Sequence, residues 1–287
     1  MAEFFIEIGS EEIPSSYIEP ALKYMKEEIA SFFSRNRIQA ENPKTMGTPR
    51  RLVLSVKGVT TIQKDYVEEF LGPGVSVAYD EKGQPTKAAM GFARGKGLDV
   101  ADLTRKQTPK GEVVCALIKN KGRSTSSLLN DYLPQLINEI PFQKKMRWAN
   151  NSRPFARPLH WVVALFDGKP LEFEFDGIAN DVVSRGHRFL KPEQFPINGV
   201  ESYLKECRQH FLMIDPKARK TSILEQVQDL AQKAGGYIKE DEGLLNLVNF
   251  LVEYPVAIKG NFDPVFLELP KELLVISMKY HQKYFPV

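Results

Sequence analysis

Between Gln143 and Phe166 the chain carries Lys144, Lys145, Arg147, Arg153, Arg157 and His160 without one acidic residue, and Trp148, Phe155 and Trp161 are interleaved with them. Cations at this spacing can neutralise successive phosphates, while aromatic faces between them can stack on unpaired bases. A second cluster follows at Arg185, His187, Arg188 and Lys191. A third spans residues 82–110, where Lys82, Lys87, Arg94, Lys96, Arg105, Lys106 and Lys110 face only Asp99 and Asp102. The net charge is only +3, so any affinity for anions must come from where the charges sit. A plainly solvated face, with both tryptophans in a core, is the competing reading of the same residues.

Other reactive groups are poorly placed for chemistry. Gly91-Phe-Ala-Arg-Gly95-Lys96-Gly97 falls short of a phosphate loop: its glycines are one residue too close, and Gly97 stands where a Mg²⁺-binding hydroxyl belongs. His160, His187, His210 and His281 show no metal-ligand pairing and no His-Asp doublet. Cys207 and His210 lie three apart on a predicted helix, but no third group is evident to orient them. Cys115 and Cys207 read as packed thiols of a reducing compartment. No metal or cofactor site is read in this chain.

Glu11 and Glu12 are adjacent, and neighbours in sequence rarely converge on one reacting atom. An ion pair with Arg50 and Arg51 suits them better, since guanidinium forks match carboxylates bidentately. The expectation is that at least one Glu–Arg pair fixes the N-terminal strand and leaves the other arginine free for RNA. The alternative is that both arginines face phosphate and the glutamates cap the following helix.

The elements that must position these groups can be read from periodicity. Glu3 to Ile8 alternates as a strand. Ile18, Leu22, Met25, Ile29 and Phe32 then recur at helical spacing. Ser16 and Glu19 resemble a capping box, with Pro20 in the first turn. Strands are expected at Arg51–Val56, over residues 60–70 and at Glu112–Lys119, with a turn at Gly72-Pro-Gly74 and a helix from near Pro85. A helix from Ser124 carries Leu128, Leu129, Tyr132, Leu133, Leu136 and Ile137 on one face and should kink at Pro134. Trp161–Phe166 and Leu171–Phe175 read as a hairpin.

After about residue 195 the pattern turns mainly helical. Asn198 is placed to cap a helix burying Val200, Leu204, Cys207 and Phe211. Asp215-Pro216 starts a second helix with Ile223, Val227, Leu230 and Ala234 as its stripe, and Gly235-Gly236 stops it. A helix over residues 242–251, a short strand over 256–259 and a last helix from Pro270 complete the pattern. Strands scattered among helices argue for an α+β fold, a mixed sheet with packed helices over residues 1–195 followed by a mainly helical segment over 196–287. The N-terminus lacks a signal-peptide pattern, and no apolar run reaches the roughly 18 residues needed to span a bilayer, so no membrane role and a cytoplasmic location are expected. The apolar ending, Gln282-Lys-Tyr-Phe-Pro-Val287, reads as a cut through a longer protein.

Six phrases add a resemblance. Glu7-Ile-Gly-Ser-Glu11-Glu12-Ile-Pro14, Thr48-Pro49-Arg50-Arg51-Leu52, Met146-Arg147-Trp148, Phe155-Ala-Arg157-Pro158-Leu-His160-Trp161, Arg185-Gly-His187-Arg188-Phe189 and Met278-Lys-Tyr-His281-Gln282-Lys283-Tyr284-Phe285 occur in this order. Together they resemble the signatures of the bacterial glycyl–tRNA synthetase β subunit. The resemblance implies a heterotetramer of two α and two β chains, in which the α subunit uses ATP and Mg²⁺ to activate glycine. It also implies that residues 1–195 are related to the B3/B4 region of phenylalanyl–tRNA synthetase. Helical HD-type and anticodon-binding domains would lie beyond Val287. This chain would then be a non-catalytic subunit that holds the tRNA for glycine and helps assemble the enzyme. An editing hydrolase is the rival enzyme reading, although glycine, the smallest amino acid, should need little editing against larger ones. A pure scaffold for the α subunit is the structural rival.

Overall fold

The computed structural model describes residues 1–148 and 153–287. In chain order it contains β1 (Ala2–Ser10), α1 (Ser15–Arg35), β2 (Lys44–Thr48), β3 (Arg51–Val59), β4 (Tyr66–Gly74), α2 (Val75–Ala78), α3 (Lys87–Gly95), β5 (Thr104–Thr108), β6 (Gly111–Asn120) and α4 (Thr125–Glu139). Then follow β7 (Leu159–Phe166), β8 (Lys169–Pro170), β9 (Glu174–Phe175), β10 (Ile178–Asp181), β11 (Val183–Arg185), β12 (Gln194–Pro196), α5 (Val200–Gln209), α6 (Pro216–Lys233), α7 (Glu242–Asn249) and α8 (Lys271–Ile276). The mixed α+β character expected from the pattern is present.

The chain divides into two compact units, one of residues 1–61 and 125–287 and one of residues 62–124. Residue 195 is not a division between them, and α5 packs on the same sheet as the strands that precede it.

The larger unit is built on a mixed sheet of order β2-β3-β1-β7-β10-β9, with β8 paired to β7. Its centre is β1, antiparallel to both β3 and β7. Phe4, Ile6 and Ile8 point into a core shared with Ile18, Met25 and Ile29 of α1 and Leu129, Leu133 and Leu136 of α4. Phe5 points the other way, into a core with Trp161, Val163, Tyr203, Cys207 and Ile214. A strand covered on both faces needs apolar residues at both parities, and β1 has them, except at Glu3, Glu7 and the small residues that follow.

Several local expectations are corrected here. The cap of α1 is Pro14, with no side-chain hydrogen bond, so Ser16 and Glu19 make no capping box; Pro20 sits inside the helix, past its first turn. The Asn198 cap is replaced by Gly199. On α5 the buried residues are Val200, Tyr203 and Cys207, because Phe211 lies beyond the helix end in a left-handed conformation (φ 54°) and turns outward. The stripe of α6 buries Ile223 and Ala231 together with Arg219, while Ala234 is exposed. The expected hairpin closes at once, Phe166 pairing with Lys169 across Asp167-Gly168, and β9 pairs with β10 instead. Both turn residues have positive φ, 53° and 74°, as a two-residue hairpin turn requires. Among the described residues no strand forms over 256–259.

The smaller unit is an antiparallel sheet of order β4-β6-β5. Ala78, Ala89 and Val114 form its small core, with Val75, Tyr79, Phe92, Val100 and Leu103 packed around them. The strand expected over residues 60–70 begins later and runs through Gly72-Pro-Gly74, which is absorbed as a register shift between Leu71 and Gly74. Thr86 caps α3 by accepting from the Ala88 amide at 3.2 Å.

Candidate functional site

Four of the six phrases meet at one end of the large sheet, where β1 ends and β3 and β7 begin. The Ser10 amide donates to the Arg50 carbonyl (2.9 Å), Glu11 to Pro158 (3.0 Å) and Ile13 to Pro49 (2.7 Å). Gly9 lies under the Trp161 indole, and a Cβ there would stand 2.0 Å from the ring, so no other residue fits.

Beneath this end is a sealed ionic network. Arg51, fully buried, donates from Nε to Glu253 Oε1 (2.9 Å) and from Nη1 to Glu7 Oε1 (3.2 Å). Its remaining donors meet the carbonyls of Arg185 (2.6 Å) and Gly186 (3.1 Å). Glu7 also accepts from the Tyr203 hydroxyl (2.9 Å) and Trp161 Nε1 (3.1 Å), and Glu253 from Thr48 Oγ1 (2.6 Å). Burial would raise the Glu253 carboxyl, but the Arg51 charge and the hydrogen bonds from Thr48 and Arg51 hold it below the ordinary range. Burial likewise pulls the Arg51 guanidinium down, and Glu253 and Glu7 push it well above its usual value. Arg51 is therefore permanently charged and closed to RNA, which corrects the expectation that it faces phosphate or pairs with Glu11 and Glu12.

Above the network is an exposed rim. Arg188 forks onto both Glu11 oxygens (2.6 and 2.8 Å) and onto Glu12 Oε1 (3.0 Å). His160 Nε2 lies 2.8 Å from Glu11 Oε1, and Arg157 Nε donates to the Glu12 carbonyl (3.0 Å). Burial pushes the Glu11 carboxyl up, yet hydrogen bonds from His160 and Arg188 outweigh it and leave it low. A glutamate–arginine lock forms, but its cation is Arg188 in place of the expected Arg50 or Arg51; Arg50 approaches Glu12 only to 3.9 Å. Arg50, Arg51 and Arg185 all lie over the Trp161 ring, at 5.9, 5.1 and 5.0 Å from its centroid. Burial pulls His187 below its ordinary value. Its Nδ1 accepts from the amides of Phe189 (3.3 Å) and Leu190 (3.2 Å).

The basic run is only partly gathered here. Lys144, Arg147 and Arg153 are exposed, whereas Lys145 is half-buried and donates to the Asn138 carbonyl (2.7 Å). Phe155 and Trp161 are core residues and cannot stack on bases, and half-buried Trp148 donates to the Phe155 carbonyl (3.2 Å). In the smaller unit, Lys106 pairs with Glu69, and Lys96 and Arg105 lie over the rings of Phe70 and Tyr79. Gly91 and Gly95 are part of α3 and form no loop. Burial pushes the Cys207 thiol far up, and His210 Nδ1 contacts the Glu206 carbonyl (2.8 Å), so these two make no catalytic pair. Among the described residues no three His, Cys, Asp or Glu side chains gather as metal ligands, and no helix is long and apolar enough to cross a membrane.

Three participants escaped the pattern reading: Tyr203, Glu253 and Arg219. Arg219 is buried and donates to the carbonyls of Asn249 (2.8 Å), Met213 (2.5 Å) and Gly47 (2.9 Å). Burial draws its guanidinium down to about 10. One signal was available: Glu7 stands in the middle of an otherwise apolar strand, and a buried carboxylate demands a buried cation.

The model of the glycyl-tRNA synthetase beta subunit family matches residues 4–287. A glycine–tRNA ligase beta subunit of Geobacter metallireducens is 47% identical over 287 residues, covering all of this chain and 42% of that protein. Those of Citrifermentans bemidjiense and Syntrophus aciditrophicus are 48% and 45% identical over 99% of this chain, which covers 41% of each. The chain thus spans about two fifths of the length of the curated relatives it matches.

Proposed function

This chain belongs to the glycyl-tRNA synthetase beta subunit family, and from that premise we propose that it serves glycyl-tRNA synthesis as a tRNA-holding and assembly region, not as the site of glycine activation. The working enzyme on this reading contains two α and two β chains in the cytoplasm, and the α subunit handles ATP, Mg²⁺ and glycine. The observation that carries the tRNA role is the stretch from Gln143 to Phe166, which has no carboxylate and exposes Lys144, Arg147 and Arg153. Exposed cations without acidic neighbours in sequence are suited to a phosphate backbone. Arg50, Arg157 and Arg185 at the sheet end extend the candidate surface, whereas His160 and Arg188 are already engaged by Glu11.

The test is to mix this chain with purified α subunit and with tRNA, separately and together, and to measure what co-elutes. Binding of tRNA that weakens steeply with salt is expected, together with α-subunit association. A chain that binds α but is indifferent to tRNA would leave only the scaffold role. Without α, no glycine-dependent ATP–pyrophosphate exchange is expected, and observing it would move activation onto this chain.

A further inference from the structure

The loop from Gly186 to Lys191 is held on both sides and still turns an aromatic ring to solvent. From inside, Arg51 binds the carbonyls of Arg185 and Gly186. From outside, Arg188 is forked onto Glu11 and Glu12. The turn is closed by the Lys191 amide donating to the His187 carbonyl (3.1 Å) and by His187 Nδ1 accepting two further amides. Gly186 has no room for a side chain, because a Cβ there would lie 1.9 Å from the Lys191 carbonyl oxygen. At the tip, Phe189 is 82% exposed and Leu190 51% exposed. Ordering a loop costs conformational entropy, and a ring so exposed returns little of it by burial. A firmly held loop that displays a large apolar side chain is a binding feature.

The neighbouring charges point to the kind of ligand. Arg50 is nine-tenths buried, its Nε has no hydrogen-bond partner, and the nearest carboxylate, Glu12, is 3.9 Å away. At the rim the guanidinium groups of Arg50, Arg157, Arg185 and Arg188 stand against the two carboxylates of Glu11 and Glu12, so positive charge is in surplus. A flat apolar ring beside surplus guanidinium groups suits an unpaired nucleotide, whose base can stack while its phosphate takes a fork. We propose that Phe189 is a stacking platform for one unpaired base of the bound RNA and that Arg50 receives an adjoining phosphate. This rests on the tRNA-holding reading above.

The test uses the full-length β subunit assembled with α. Phe189→Ala, Phe189→Leu and Phe189→Trp are compared for tRNA affinity at fixed salt, and for α-subunit affinity without RNA. Since base–aromatic stacking is lost on truncation, Phe189→Ala and Phe189→Leu should each weaken tRNA binding about fivefold or more. Phe189→Trp should keep affinity within about twofold, and its fluorescence should change on adding tRNA. Arg50→Gln should lower affinity and flatten the salt dependence by about one unit. Unchanged tRNA affinity in Phe189→Ala overturns the proposal while leaving the broader tRNA role intact. Equal rescue by leucine overturns stacking, and weakened α association with normal tRNA binding reassigns the tip to a protein interface. Failure of the unaltered assembly to bind tRNA removes both readings.

Discussion

Arg50 and Arg51 are neighbours in the chain and end in opposite surroundings. The interior around Arg51 provides two carboxylates and two carbonyls within hydrogen-bond distance. The rim around Arg50 provides no hydrogen bond for its Nε and no carboxylate nearer than 3.9 Å. Both guanidinium groups lie over the Trp161 ring, but Arg51, the first residue of β3, is enclosed with Glu7 and Glu253, whereas Arg50, in the turn before the strand, hydrogen-bonds to neither. In the interior, charge fixes where β1, β3, α5 and the loop at Arg185 meet. At the rim, Arg188 is taken by Glu11 and Glu12, Arg157 and Arg185 are half-buried, and Arg50 keeps about a tenth of its side chain accessible. On the proposed reading the doublet divides into a structural arginine, Arg51, and a candidate for phosphate, Arg50.

The largest test of this division is to strand a buried charge. Arg51→Ala should cost about 3–5 kcal/mol, because Glu7 and Glu253 lose their cation in a dry site. Denaturant unfolding checks it, and a loss below about 1 kcal/mol would place Arg51 in the same class as the rim.

Acid should separate the two regions next. Glu253 and Glu11 are held low when folded, so the unfolded chain takes up more protons as pH falls. Their stabilisation is complete above the unfolded carboxylate pKa of roughly 4.3 and is lost as pH drops through the lower folded values. Unfolding free energy measured from pH 7 down to 3 should fall, and Glu253→Gln should show a shallower fall than the unaltered chain.

Salt sharpens the contrast from the ligand side. Lys144→Ala should reduce the log–log salt slope of tRNA binding by about one unit. Lys145→Ala should change it less, since that amine is already engaged with the Asn138 carbonyl. The smallest effect is expected in the rim itself: a double-mutant cycle between Glu12 and Arg188 should give a coupling below about 1 kcal/mol, measured by unfolding. A coupling near 3 kcal/mol would show the rim to be as dry as the interior.

The parts of this arrangement that were legible in sequence are those with strong local periodicity. Ile18, Leu22, Met25 and Ile29 marked α1, and Asp215-Pro216 marked the start of α6, where Asp215 accepts from the Lys217 amide at 2.9 Å. The cation that pairs with the glutamate doublet could not be read from sequence, because Arg188 lies 176 residues from Glu12 and no spacing rule reaches so far. Glu253 was invisible for the same reason, 202 residues from Arg51. The interleaved aromatics misled because spacing along a chain does not tell a core strand from a surface one. Trp161 lies in β7, a strand covered on both faces, and its neighbours in space are guanidinium groups above a buried carboxylate.

The chain leaves the larger unit after Thr61 and re-enters it at Thr125, and within that unit these two points are tied to each other. The Thr125 amide donates to the Thr61 carbonyl (2.9 Å), and its hydroxyl donates to the Thr60 carbonyl (2.6 Å). Residues 62–124 are thus a detour whose two ends are already tied. For the assembling chain this is a shortcut: β7 must find β1 across about 150 residues of sequence, and tying Thr125 to Thr61 first removes the detour from that search. Because closure entropy grows only with the logarithm of loop length, the gain is small, about half a kcal/mol. The greater consequence is evolutionary. An insertion with paired ends can lengthen, shorten or change its surface while the sheet that holds Arg51 keeps its register.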